Sequence, residues 1–163
     1  MDQAIQTALN EQIAAEFSAA YLYLAMSAHF TEQNFSGFAR WMKAQSDEEL
    51  RHAMRIYGYL LERGGHVELD AVTPPPKKFG SPLEIFEATL HHEQKVTASI
   101  HAIYELARTK KDYATEIELQ WFVTEQVEEE ASTELAVQQI SRAGSDVSAL
   151  LLLDHQFGQR DDA

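Results

Sequence analysis

Glu49-Leu50-Arg51-His52 and Gln126-Val127-Glu128-Glu129 are the stretches that decide how this chain folds. Residues three apart on an α-helix share a face, so Glu49 and His52 point one way, as do Gln126 and Glu129. A glutamate precedes each stretch by the same distance: 49 − 16 = 33 for Glu16 and 126 − 93 = 33 for Glu93. One shift of 77 residues (93 − 16, 126 − 49, 129 − 52) therefore carries Glu16, Glu49 and His52 onto Glu93, Gln126 and Glu129. Two helical hairpins, each bringing polar ligands to one central point, are what a dinuclear metal centre inside a four-helix bundle needs.

Working outward, each of these residues falls inside an apolar stripe. A first helix is expected over about 4–31, with Leu9, Ile13, Ala20, Tyr23 and Ser27 in line with Glu16. The Asn34–Gly37 turn is short enough only for an antiparallel return. A second helix over about 36–63 carries Phe38, Met42, Gln45, Glu49, His52, Ile56 and Tyr59 on one face, and Gly64-Gly65 ends it. The third (about 82–109) lines up Leu83, Phe86, Leu90, Glu93, Thr97, Ile100 and Tyr104. The fourth (about 113–142) lines up Leu119, Phe122, Gln126, Glu129, Thr133, Ala136 and Ile140. A short fifth helix is expected over 146–157, where Leu150–Leu153 need burial, and the polar tail Gln159–Ala163 is expected to be mobile. Every long stripe is apolar at its ends and polar in the middle.

The linker over 66–80, with Pro74-Pro75-Pro76, sets the topology. A helix of about 28 residues is roughly 42 Å long at 1.5 Å per residue. Fifteen extended residues reach about 50 Å, and consecutive prolines keep them extended. The linker can thus return to the starting end of the second helix, making the third parallel to it. Ser81-Pro82-Leu83-Glu84 then reads as a helix start: a capping serine, a first-turn proline and a capping-box glutamate.

Composition narrows the function. The 163 residues fit one domain, 1–163. A net charge of −13 excludes nucleic acid as a partner, because it repels phosphate. The absence of cysteine excludes disulfides, thiolate metal sites and iron–sulfur clusters. With no leader-like start and no membrane-length apolar run, the expected compartment is the cytoplasm.

Four buried carboxylates are strongly unfavourable unless positive charge compensates them. Two divalent cations would balance four such charges with His52 neutral. Oxygen ligands with one imidazole suit iron or manganese better than copper or a structural zinc. The competing reading is that one or more stripes are misphased and the glutamates line solvated faces. The doubled spacing, with all six residues in phase, favours the metal.

Glu16 with Tyr23, Asp47-Glu48-Glu49-Leu50-Arg51-His52, Glu93, and Trp121-Phe122-Val123-Thr124-Glu125-Gln126-Val127-Glu128-Glu129-Glu130 resemble the ferritins, specifically the haem-free bacterial ferritins. The resemblance covers essentially the whole chain. It implies an all-α, ferritin-like four-helix bundle with one long crossover and a short C-terminal helix. It implies a homo-oligomeric cage of 24 subunits that oxidises Fe(II) with O2 or H2O2 and stores ferric mineral. By the same resemblance Glu16, Glu49 and His52 would hold a first iron, and Glu93 and Glu129, with bridging Glu49, a second. Glu48, Glu125 and Glu128, with Glu129, match a third iron position. Gln126 matches a weak or supporting ligand near the oxygen side. Tyr23 matches a tyrosine that hydrogen-bonds near the centre and supplies an electron, against the equal alternative of a core aromatic. Trp121 lies in a similar supporting place.

Departures separate related families. Helix four reads Gln126-x-x-Glu129 rather than a second Glu-x-x-His, and Leu50 stands where a haem-ligating methionine would follow the bridging glutamate, so no haem is expected. Missing cysteine pairs exclude a rubrerythrin. The alternative function is a non-storing diiron carboxylate oxidase or peroxidase on the same bundle. His91 and His92 are expected to point away from the centre, and His29, His66, His101 and His155 to be surface or packing residues. Glu116 matches the region that lines iron entry channels, although a solvated surface glutamate is the plainer reading.

Overall fold

A computed structural model describes residues 1–159. Apart from Gln159, the tail expected to be mobile lies outside the described residues. Among the described residues the chain forms five helices: α1 Gln3–Glu32, α2 Ser36–Glu62, α3 Pro82–Lys110, α4 Tyr113–Ala143 and α5 Val147–Phe157. This is the all-α bundle with a long crossover and a short last helix.

Side-chain hydrogen bonds between helices fix their directions. Ser46 and Ser27 donate to the carbonyls of Ala20 and Ala39, so α1 and α2 run antiparallel. Tyr23 pairs with Glu93, and Ser99 donates to Gln12, so α1 and α3 are antiparallel as well. It follows that α3 is parallel to α2, the arrangement for which the long linker was needed. Gln45 reaches Glu129 and Tyr59 reaches Thr115, which sets α4 antiparallel to α2.

Local chemistry starts and stops the helices largely as the sequence suggests. Ser81 and Glu84 form a reciprocal capping box at α3, with Pro82 in the first turn. Asp112 caps α4 by accepting from the amide of Thr115. Arg63 binds both oxygens of Asp112, at 2.9 and 3.2 Å, and so ties the end of α2 to the start of α4. Burial alone would raise the Asp112 pKa, but Arg63 and Thr115 hold it below the usual carboxylate value. Beyond Arg63, Gly64 takes φ +66°, the left-handed turn that ends a helix at little cost only for glycine.

The start of α2 is different. Its capping position is Phe35, which offers no side-chain oxygen. Asp154 of α5 supplies one instead: its Oδ1 accepts from the Phe38 amide at 2.8 Å. Arg40 then donates to the carbonyl of Gly158 at 2.6 Å. Gly37 lets the two backbones meet, since a Cβ there would stand 1.6 Å from the Asp154 carbonyl oxygen. Leu150, Leu153 and Phe157 pack on the adjoining core, whereas Leu151 and Leu152 are exposed on the single chain.

Two apolar clusters fill the bundle. One gathers Met26, Phe30, Phe38, Trp41, Phe86 and Ile140 at the α5 end. The other gathers Ile5, Leu9, Ile56, Leu60, Ile100, Leu119 and Phe122 at the opposite end. Phe38 is the hub of the first, with ring centroids of Phe30, Phe35, Phe86 and Phe157 at 5.3–5.5 Å. Such aromatic pairs contribute about 0.5–1.5 kcal/mol each beyond burial. The polar residues of the sequence stripes lie between the two clusters. Among the described residues no helix is long and apolar enough to cross a membrane.

Candidate metal centre

All six in-phase residues are buried: Glu16, Glu49, His52, Glu93, Gln126 and Glu129 each expose 4% or less of their surface. The stripes are therefore correctly phased, and the solvated-face reading fails. One ligand atom from each of Glu16, Glu49 and His52 lies within 4.8 Å of the others. Glu93 and Glu129 stand outside this tightest trio, but their charges act directly on Glu49. Among the described residues, no lysine or arginine is buried with them.

The residues that hold these carboxylates come from all four helices. Gln12, one turn before Glu16, donates to Glu16 Oε1 at 2.8 Å and is itself fixed by Ser99. The Tyr23 hydroxyl donates to Glu93 Oε1. The Gln126 amide donates to the Glu93 carbonyl oxygen, to Glu93 Oε2 and to Thr97 Oγ1, each at 3.3 Å. Gln45 donates to Glu129 Oε2 at 2.7 Å. Glu49 Oε2 lies 3.4 Å from His52 Nδ1 without bonding to it, and apart from a proton shared between the Glu16 and Glu49 carboxyls no donor reaches Glu49 Oε2 or Glu16 Oε2. Buried acceptors in native proteins are nearly always satisfied, so two orphaned oxygens facing an imidazole mark a place for a cation.

Electrostatics agree. Burial, and then the charge of Glu49, pushes the Glu16 carboxyl well above its usual range. Burial, and then Glu93, does the same to Glu49. Glu93 is raised by burial, partly offset by the hydrogen bonds from Tyr23 and Gln126. The Tyr23 phenol is also raised, by burial and by the carboxylates around it. Without a cation the centre keeps protons, and a divalent cation entering it must displace them.

The other expected positions are more open. Glu48 is buried, with Arg51 3.6 Å from Oε1; Glu125 is half-buried and Glu128 exposed. Glu116 is half-buried in the first turn of α4. Trp121 and Phe122 stand edge-on to the His52 ring, at 5.5 and 5.8 Å. His92 lies away from the carboxylates, beside Ala15, Ser18 and Pro74. Its ring packs edge-on against Tyr23 at 5.7 Å, and its Nε2 is buried without a hydrogen bond. The supporting roles of Gln12, Gln45 and Thr97 escaped the sequence reading. Each left the same signal there, an i,i+4 spacing to Glu16, Glu49 or Glu93.

A helical bundle that gathers four carboxylates, a histidine and a glutamine between two apolar clusters defines a carboxylate-rich bundle with a candidate metal site of the kind built in bundle cores. The ferritin-like domain family matches residues 6–143, and the chain belongs to the ferritin family. It is 43% identical to a bacterial non-heme ferritin of Bacteroides fragilis, over 98% of this chain and 99% of that protein. It is 42% identical to the bacterial non-heme ferritin of Staphylococcus aureus, over 94% of this chain and 92% of that protein. An open-pore ferritin from the hyperthermophilic archaeon Archaeoglobus fulgidus superposes with a TM-score of 0.96 at 46% identity, covering 98% and 99% of the two chains.

Proposed function

We propose that this protein oxidises Fe(II) at the buried centre, with O2 or H2O2 as electron acceptor, and stores the ferric product in a homo-oligomeric cage of 24 subunits. The observation that carries the reading is the trio Glu16, Glu49 and His52, with its two orphaned carboxylate oxygens and, among the described residues, no buried lysine or arginine. Fe(II) is the substrate. Glu16, Glu49 and His52 bind one ion, and Glu93 and Glu129 bind a second with Glu49 between them. Each Fe(II) gives up one electron, and the clustered carboxylates favour the more highly charged product. As iron binds, the carboxyls release the protons that burial had kept on them. Gln126 and Tyr23 hold Glu93 in place from two sides, and Gln45 holds Glu129. Glu48, Glu125 and Glu128 form a third binding position with Glu129 and help ferric ions leave. No haem takes part.

The test is to add Fe(II) in air to metal-free protein, gel-filter it, and measure iron per chain with particle mass. Iron far above two or three per chain on a large assembly is the expected result. Iron stopping at about two per chain on a small oligomer, the capacity of one two-metal site, would instead mean a non-storing oxidase. For the third position, Glu128→Ala is expected to slow later iron additions more than the first oxidation. Stopped-flow absorbance over successive additions reads this, and equal slowing of all additions would remove the proposed role.

A further inference from the structure

We propose that Arg55 is a positioning residue for the metal centre, locking the Trp121 indole against His52 so that the imidazole is held ready to bind. The inference rests on the reading of His52 as a metal ligand.

Four side chains form the device, as two i,i+3 pairs on facing helices. His52 and Arg55 share one face of α2, and Glu118 and Trp121 share one face of α4. The Arg55 guanidinium carbon lies 4.1 Å from the Trp121 ring centroid, a close cation–π contact. Its Nε donates to Glu118 Oε1 at 2.6 Å, which fixes the plane of the guanidinium. The indole also makes T-shaped contacts with the rings of His52, at 5.5 Å and 77°, and of Phe122, at 4.8 Å and 87°. Phe122 in turn meets His52 at 5.8 Å.

The device has a purpose because Trp121 is only half-buried, whereas His52 and Phe122 are buried. An indole at the rim can swing outward unless something covers its outer face. Arg55 covers it, and a planar guanidinium does so better than the compact ammonium of lysine. With the indole locked, His52 is walled by two rings and keeps its orientation beside Glu49, 3.4 Å from Nδ1. Groups that orient a metal ligand from outside its coordination shell govern affinity without touching the metal. Placing a cation here is otherwise unhelpful, since its charge opposes the binding of divalent ions.

That opposition makes the test sharp. Metal-free protein is titrated with Co(II), a spectroscopic probe that does not turn over, and its visible ligand-field bands are followed. Arg55→Met is expected to weaken the first Co(II) equivalent roughly tenfold, the lower end of what losing an orienting group costs. Arg55→Lys, which keeps the charge but not the flat face, is expected to weaken it as well. In a Trp121→Phe background, Arg55→Met is expected to add no further loss. Circular dichroism confirms that each variant is folded. Tighter or unchanged Co(II) binding by Arg55→Met would show that the residue acts only through its charge, and would overturn the proposal. So would wild-type affinity in Arg55→Lys, or an undiminished effect without Trp121. If the wild-type protein itself gives no Co(II) ligand-field bands, the metal-centre reading falls, and this inference with it.

Discussion

Glu49→Gln is expected to make the metal-free protein more stable and the iron-loaded protein far less active. Glu49 sits at the middle of the acidic cluster, 1% exposed, with one oxygen unsatisfied. Its carboxyl is raised well above the ordinary 4.5 by burial and by Glu93. The sign follows from proton counting. A carboxyl with a raised native pKa binds more protons folded than unfolded, so its ionisation costs stability as pH climbs from about 4.5 toward the native value. Glutamine has no such dependence. The melting temperature of the variant should therefore match the wild type near pH 4 and exceed it increasingly toward neutrality. Replacing a buried ion pair by apolar groups of like volume is neutral or stabilising by about 1–4 kcal/mol, and removing one uncompensated buried carboxylate is expected to gain within that range. For a chain of this size each kcal/mol is about 2–4 °C. Adding metal reverses the order. A cation at 100 times its dissociation constant stabilises the wild type by about 2.7 kcal/mol, and the variant, lacking the carboxylate proposed to bridge the two ions, is expected to gain little. Calorimetry of both proteins at two pH values, with and without Co(II), reads the stabilities, and the rate of Fe(II) oxidation in air reads the activity. A Glu49→Gln protein that is less stable without metal would mean that the carboxylate is structural.

Gly37→Ala carries the second large effect, and at the other end of the molecule. The added methyl would stand 1.6 Å from the carbonyl oxygen of Asp154, which is backbone and cannot rotate away. Either α5 shifts or α2 loses its first turn. In both cases Asp154 gives up the Phe38 amide, Arg40 gives up the Gly158 carbonyl, and Phe157 leaves the aromatic cluster. Overpacking and a broken charge-assisted hydrogen bond together cost roughly 3–5 kcal/mol, or about 6–20 °C in melting temperature. Fast amide exchange across Val147–Phe157, with slow exchange kept in α3, is the expected signature. The first oxidation of Fe(II) should survive, because α5 packs on the far side of one apolar cluster from the carboxylates. A variant that melts like the wild type would show that the backbones can separate without loss.

The centre was legible because helical periodicity is rigid. Polar residues at positions 49 and 52 must share a face, and one shift of 77 repeats the pattern on the second hairpin. The crossover was legible because proline stiffness and chain length leave few routes between helix ends. The capping box at Ser81 and the left-handed Gly64 were legible because caps are local chemistry. Ligand roles for the six residues remain a proposal, and the titrations above address it directly.

What the sequence determined by itself was therefore the helical bundle, its parallel crossover and the six polar residues set in apolar stripes. All follow from interactions within a few turns or from the reach of the chain. The tertiary structure alone decided which partners hold those residues. Gln45 reaches across to Glu129 on another helix, Asp154 caps a helix that begins 118 residues earlier (154 − 36), and Arg55 covers a tryptophan on another helix. Such pairings depend on how far each helix slides and rotates against its neighbours. Packing of side chains sets that, and spacing along the chain does not encode it.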